Sequence, residues 1–485
     1  VDVTNASAEE RYHTMRTSVK AFTDSLLDLI VGTEETRQFV VDRLGFDELV
    51  YLGPDEQVVP EDINWIIQQA AKRGYPIPAA FMSSKPLAGI NHKEFGVTSE
   101  GVAVFLEVAL KESGIDPYKQ PFTIKITGGP DGDVAGNLMR ILFRDYGSNV
   151  RVLGVADGSG VAEDPAGLCQ KELMRLFKEA LPIADFATSS LGPDAALHHM
   201  TSEEGVRMRN SMHNRLKTDV FVPAGGRPNT MHDGNWHEFL DASGTPSSPI
   251  IVEGANIFLT AGARQNLYEK GGVLIVKDSS ANKCGVITSS FEICASMLLE
   301  QPEFLAIKDE VVKDVLERLR ELARLEANLM FREYKNYPGS LPFFSERISV
   351  AINRADEAIR ISLAGMERGD ETYRSLMPLF LKYLPRKLAE KAGDRVDERI
   401  PLDYLRNAFA SCLASNMLYR EGINFLEAQD LDRVPALALR YYAEERTVDE
   451  LLARLDKVDG LSGSDKDEVM TFLRRGGVRS SLQVY

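Results

Sequence analysis

The sequence predicts an α/β fold: a doubly wound, mostly parallel sheet followed by an all-helical C-terminal region. Two observations carry this. Between residues 98 and 290, short β-branched runs alternate with helical patterns, at 122–127, 150–156, 183–187, 219–222, 250–252 and 273–276. Six short apolar strands separated by helices imply parallel pairing with both faces covered. Right-handed crossovers then leave the doubly wound sheet as the leading topology. From about residue 291 onward strand-like runs stop, and apolar residues recur at spacings of three and four instead.

Taken in order, the N-terminal stretch is mixed. Met15, Val19, Phe22 and Leu26 share one face of an expected helix over 8–31, and a second helix is expected over 35–44. A third lies near 61–73, where Glu61 and Asp62 in the first turn suit the helix dipole. The run 74–96, rich in Gly, Pro and Ser, reads as irregular. Beyond the sheet, Val311, Val315, Leu319, Leu322 and Leu325 mark a long amphipathic helix over 306–334. Further helices are expected at 341–366, 373–392, 401–421 and 447–455, with no repeat of fixed period.

The 485 residues suffice for two or three domains. With 56 Lys+Arg against 72 Asp+Glu, the net charge of −16 argues against a general nucleic-acid binder, which needs a basic face. No apolar run approaches the roughly 18–20 residues of a membrane span, so no membrane partner is expected. The chain opens at Val1 with no basic stretch followed by an apolar one, so no signal peptide is expected, and it reads as though it begins inside something longer. Cys169, Cys284, Cys294 and Cys412 form no CxxC pair and no histidine stands at zinc spacing. Free thiols in a reducing compartment and no metal site are the expectation, with a cytoplasmic location, or a mitochondrial one if the source is eukaryotic. His198 and His199 are taken as surface or loop residues.

The run 122–127 leads into Gly128-Gly129-Pro130-Asp131-Gly132-Asp133-Val134-Ala135-Gly136-Asn137, and a helical pattern with Leu138, Ile141 and Leu142 follows. A strand, a glycine-rich turn and a helix start, in that order, are what a pyrophosphate needs: close backbone approach and free N–H groups. The spacing is Gly129-x-x-Gly132-x-x-Ala135 rather than GxGxxG, and an ordinary glycine-rich loop is the competing reading. The run 150–156 ends in Asp157, 25 residues beyond Gly132. An acid there can hold the adenosine ribose hydroxyls and disfavour a 2′-phosphate, which favours NAD over NADP. A turn former before Gly158-Ser159-Gly160 is the alternative for Asp157. Ser279-Ser280-Ala281-Asn282 follow the last strand at its carboxyl end, where doubly wound folds bind ligands.

Several further segments stand in a telling order: Leu52-Gly-Pro-Asp55-Glu-Gln-Val-Val-Pro60, Ser84-Lys85-Pro86, Asn91-His92-Lys93-Glu94, Gly96-Val97-Thr98-Ser99-Glu100-Gly101, Asp219-Val-Phe-Val-Pro223-Ala224-Gly225-Gly226, Val252-Glu253-Gly254-Ala255-Asn256, and Lys277-Asp278-Ser279-Ser280-Ala281-Asn282 on to Ser289. With the glycine-rich turn, this set resembles the large-subunit class of NAD-dependent glutamate dehydrogenases over roughly residues 8–292. The resemblance implies an enzyme that oxidatively deaminates L-glutamate to 2-oxoglutarate and ammonium, passing a hydride from Cα to NAD. Asp55 would be the catalytic acid/base, although by pattern alone it reads as a turn residue or helix cap. Cofactor contacts would come from Thr98, Gly129, Gly132, Asp133, Val134, Asp157, Ala224, Gly225, Asn256 and Asn282, and Ser289 would hold the distal carboxylate of glutamate.

The same resemblance divides the chain into the end of a substrate domain (1–97), a Rossmann-like NAD domain (98–300) and a helical region (301–485), in a homo-oligomer. One part of the family pattern is missing: no Gly-x-Lys-Gly-Gly segment, with its substrate-binding lysines, precedes Asp55. Those lysines are expected on an upstream stretch or are replaced. Lys85 and Lys93 are the remaining basic candidates, with Lys93 taken as the substrate contact; a solvated surface lysine is the competing reading for both. Two other functions stay open: a dehydrogenase of leucine or phenylalanine, which Ser289 disfavours, and a non-catalytic NAD-sensing or scaffolding subunit.

Overall fold

The structure, a computed structural model, describes residues 6–31, 49–54, 58–458 and 463–483. The helix expected over 35–44 and the acid/base candidate Asp55 lie outside the described residues.

Helix α1 (Ala8–Ile30) opens on a capping box, in which Ser7 and Glu10 satisfy each other's backbone N–H. Helix α2 (Pro60–Lys72) starts with proline at its first position, and Asp62 accepts the Val59 N–H at 3.1 Å. Leu27 of α1 buries against Ile63 and Ile66 of α2 and against Phe81 in a small core of their own. The segment around Leu52 pairs with Met82 in a parallel bridge, through Leu52 N–H to Phe81 O and Ser83 N–H to Leu52 O, both at 2.9 Å.

Helix α3 (Val97–Glu112) is buried on nearly every side, because it lies between the sheet, helix α4 (Asp133–Tyr146) and the helical region. The sheet has seven strands: β1 (Phe122–Thr127), β2 (Val150–Ala156), β3 (Gly160–Glu163), β4 (Ala196–His199), β5 (Val220–Pro223), β6 (Ile250–Val252) and β7 (Leu274–Val276), in the order β4-β3-β2-β1-β5-β6-β7. Strands β1, β2, β5, β6 and β7 run parallel and are buried on both faces. Helices α5 (Gln170–Glu179), α6 (Glu203–Arg215) and α7 (Ala261–Gly271) complete the crossovers.

The edge beyond β2 corrects the expectation. Residues 183–187 are not a strand: Ile183–Asp185 is a 3-10 turn following Pro182, and the Ile183 N–H goes to Asp157 Oδ2 rather than to a strand partner. The edge is made instead by β3 and β4, paired antiparallel. His198 and His199 lie on β4.

Past β7 only helices follow among the described residues. Helix α8 (Cys284–Leu298) leads to α9 (Lys308–Asn336), α10 (Leu341–Leu363), α11 (Glu371–Tyr383), α12 (Leu402–Glu421), α13 (Val434–Asp456) and α14 (Gly463–Gln483). The single helix expected over 373–392 is two, Glu371–Tyr383 and Arg386–Ala392. Pro385 has no N–H to give and turns Leu384 extended. One continuous apolar core joins the sheet, α3, α8, α9 and the following helices. No helix among the described residues is long and apolar enough to cross a membrane.

Candidate functional site

The crossover from β1 runs outward to β2, and the chain later returns to β5 on the other side of β1. The sheet order therefore reverses between β1 and β5, and a crevice opens at their carboxyl ends. There the Ala224 N–H donates to Thr127 O at 2.8 Å. Gly128 has φ +108°, and a Cβ on it would lie 2.9 Å from the Gly225 nitrogen. Two glycines let the backbones after β1 and β5 touch, where any side chain would push them apart.

The glycine-rich turn closes with Gly132 N–H to Gly129 O at 2.9 Å, and α4 begins at once. Gly136 is the first residue to donate back into that helix, so the N–H groups of Asp133, Val134 and Ala135 have no intrahelical acceptor. Val134 packs where a Cβ on Gly254 would lie, 2.9 Å away, so the end of β6 closes on the same turn. Thr127 Oγ1 and Asp133 Oδ1 are buried here without a hydrogen-bond partner. These orphaned groups and the bare backbone at Gly129 are what a cradle for a polar ligand requires.

The acids around the turn differ. A Cβ on Gly129 would collide with Asp131 Oδ1 and lie 2.5 Å from Asp157 Oδ2, so both carboxylates flank it. Desolvation, and next the charge of Asp157, raises the Asp131 pKa. Desolvation also raises that of Asp133, with Lys93 and Asn137 opposing. Asp157 Oδ1 accepts from Ser159 N–H (2.7 Å), Ser159 Oγ (2.5 Å) and Gly160 N–H (3.2 Å), while Oδ2 accepts Ile183 N–H (2.7 Å). It is thus a turn former, and it also ends β2 beside the glycine-rich turn with a lone pair left on Oδ2.

Across the crevice, Asn282 Nδ2 donates to Asn256 Oδ1 at 2.6 Å and to Gly254 O at 3.2 Å. The loop carrying Asn256 is strained: Ile257, β-branched, has φ +56° and is held by its N–H to Asp278 Oδ2 at 2.7 Å. Beneath it, fully buried Glu253 takes both forks of Arg264, at 2.7 and 2.8 Å. Thr98 faces Gly285: a Cβ there would be 3.0 Å from Thr98 Oγ1. The neighbouring Ser99 Oγ donates to Val134 O at 2.9 Å, which ties α3 to the start of α4.

Ser289 accepts from Ser83 Oγ at 2.9 Å and lies 3.5 Å from His92 Nε2. Gly53 comes in alongside, since a Cβ on it would sit 3.7 Å from Ser83 Oγ. One turn beyond Ser289, fully buried Glu292 collects the backbone N–H groups of Ser84 (3.0 Å), Lys85 (3.2 Å) and Ile90 (2.8 Å). It thereby holds Ser84 at φ +59°.

Lys85 is neither free nor on the surface. It is buried, paired with Glu292 at 2.6 Å, and donates to Ser296 Oγ at 3.0 Å. Lys93 is exposed, its carbonyl takes Asn137 Nδ2 at 2.7 Å, and its charge is felt at Asp131 and Asp133. Neither His92 nor Glu292 stands out in the sequence as a site residue. His92 lies in the run Asn91-His92-Lys93-Glu94, and burial lowers its pKa against the pull of Glu292. Glu292 could have been found from its spacing of three residues after Ser289.

A doubly wound sheet whose switch-point crevice gathers a glycine-rich turn, a bare helix start and an asparagine pair is a nucleotide-binding fold of the dehydrogenase type. The profile of the Glutamate/Leucine/Phenylalanine/Valine dehydrogenase family matches residues 89–336, just over half of the sequence. The chain belongs to that family. It is 34% identical over 431 residues to the probable NAD-specific glutamate dehydrogenase of Schizosaccharomyces pombe, covering 83% of this chain and 37% of that protein. It is 33% identical over 430 residues to glutamate dehydrogenase 2 of Dictyostelium discoideum, covering 83% and 39%. With the glutamate dehydrogenase of Thermotoga maritima it shares 28% identity over 260 residues, 52% of this chain and 55% of that one. The chain spans about two fifths of the length of the first two relatives.

Proposed function

We propose that this chain is the end of the substrate domain, the cofactor-binding domain and the helical tail of an NAD-dependent glutamate dehydrogenase, which converts L-glutamate to 2-oxoglutarate and ammonium. The observation that carries this is convergence. The glycine-rich turn, the Asn256–Asn282 pair, Thr98 and Ser289 come from distant segments to the rim of one crevice. When bound, NAD supplies the acceptor for the hydride leaving Cα.

The residues divide the remaining work. The free N–H groups after Gly132 suit the pyrophosphate, and Lys93, exposed at the same rim, would be the substrate contact. Asp157 has room for one ribose hydroxyl. Ala224, Gly225, Asn256, Asn282 and Thr98 would orient the nicotinamide half. Ser289, with His92 and Ser83, would take the distal carboxylate. Asp55, following Gly53-Pro54, would move protons between the amine, water and the imine it hydrolyses. Positive charge for two carboxylates is scarce here, since Lys85 is already committed to Glu292, so we place the remaining substrate lysines on other parts of the protein. The relatives named for glutamate and NAD support the choice of substrate and cofactor. A homo-oligomer in the cytoplasm completes the proposal; the four free cysteines fit a reducing compartment.

The test is an assay of the complete protein with glutamate and NAD against leucine and NADP. The proposal expects turnover of glutamate with NAD well above every other combination. Leucine turned over as fast would move the chain to another substrate within the family, and no turnover at all would favour the NAD-sensing or scaffolding reading.

A further inference from the structure

Helix α9 belongs to the helical region, yet three of its charged residues, Arg320, Arg324 and Glu326, meet the two segments that carry Thr98 and Asn282. On α3, Glu100 and Glu107 are 1% and 2% exposed. Glu100 is met by Arg320 of α9 at 2.5 Å and by Arg144 of α4 at 2.7 Å. Glu107 is met by Arg324 of α9 at 3.0 Å and by Lys111 at 2.7 Å. Two residues further along α9, Glu326 is 1% exposed. Its Oε2 is paired with the ammonium of Lys283 and accepts the Tyr419 hydroxyl of α12 at 3.0 Å.

Lys283 directly follows Asn282, in the turn between the short helix Asp278–Ala281 and α8. The backbone of the turn is held by Asn282 N–H to Asp278 O at 2.9 Å, a long Gly285 N–H to Asn282 O at 3.4 Å and Ile287 N–H to Lys283 O at 3.1 Å, and the Lys283 ammonium reaches out of it to α9. Helix α3 comes unusually near it. A Cβ on Gly101 would lie 2.7 Å from Cys284 Sγ and 2.9 Å from Ala281 O. Helix α3, the turn and α9 therefore meet as three packed bodies, and α9 makes ion pairs to both of the others.

We propose that Glu326 is a positioning residue for the cofactor site: it holds Lys283 while Arg320 and Arg324 hold α3, so that α9 sets the separation of Thr98 from Asn282. The helical region is then a working part of the site. This rests on the NAD reading above.

The test uses Glu326→Gln, which keeps an acceptor for Tyr419, and Lys283→Gln, which alters the partly exposed partner. Two readouts are needed: amide hydrogen exchange of peptides covering residues 278–286 without ligand, and NADH affinity by fluorescence, each also in an Asn282→Ala background. Both variants should raise exchange in 278–286. They should weaken NADH by roughly tenfold in the parent, the scale of a coupled pair, but by less than twofold once Asn282 is gone. Unchanged exchange, or an equal loss of affinity in both backgrounds, overturns the proposal, because a merely structural acid would act independently of Asn282. If the parent binds no NADH, the cofactor reading fails by itself, and exchange alone still decides whether α9 holds the turn.

Discussion

Two regions of this molecule treat carboxylates in opposite ways. At the interface of α3 and α9, Glu100 and Glu107 are almost fully buried, yet each meets two cations. Burial pushes the Glu107 pKa up, but Arg324 and Lys111 outweigh that and hold it below its ordinary value. At the glycine-rich turn, Asp131 and Asp133 are less buried, but their pKa values are raised and Asp133 Oδ1 has no partner. Acids matched with arginine fasten elements together. Acids left unmatched at the mouth of a crevice reflect a site whose polar groups are arranged for something other than stability.

That contrast predicts where substitutions act. The largest effect is on rate at the site: in the complete protein, Asp55→Asn should lower kcat by roughly 10²–10⁴ with little change in unfolding. A kcat within severalfold of the parent would make Asp55 a turn residue. The interface should respond in stability instead. Glu107→Gln leaves Arg324 and Lys111 without their acid and should cost about 1–3 kcal/mol in urea unfolding, less than for a sealed pair because both cations reach water.

The smallest effect has the opposite sign. Asp133→Asn removes a strained charge and should stabilise the fold at neutral pH by about 0.5–1 kcal/mol. Because the folded-state pKa of Asp133 is raised, the folded protein holds its proton to higher pH than the unfolded chain does. Its charge therefore costs stability as pH rises through that value, and the gain of the Asn variant should fade in acid. Destabilisation at pH 7 would place Asp133 with the matched acids.

The legible parts of the fold are those with local signals. Phe122–Thr127, Val150–Ala156 and Ile250–Val252 are short β-branched runs between helical patterns, and all three are strands. The glycine-rich turn was readable because its chemistry lies in consecutive residues. Strands β3 and β4 were missed because Gly-Val-Ala-Glu and Ala-Leu-His-His carry little strand propensity, and β3 pairs along the edge of β2 with β4 added outside it. Ile183 was misread because its apolar character serves burial in a turn whose N–H is claimed by Asp157. Glu326 was invisible, and Glu292 showed only its spacing from Ser289, for a shared reason. Each is an acid on a helix whose partners stand far away in sequence, Ser84–Ile90 in one case and Lys283 with Tyr419 in the other. Asp157 holds its own turn, as the alternative reading of that residue expects.

The central claim is that the crevice between β1 and β5 binds NAD, and a fluorescence titration with NADH and NADPH on the parent chain and on Gly129→Val tests it most directly. The account predicts NADH bound at least roughly tenfold more tightly than NADPH, and that preference lost with the binding itself when a side chain fills Gly129. Equal or reversed affinities in the parent, or NADH binding untouched by Gly129→Val, would contradict it.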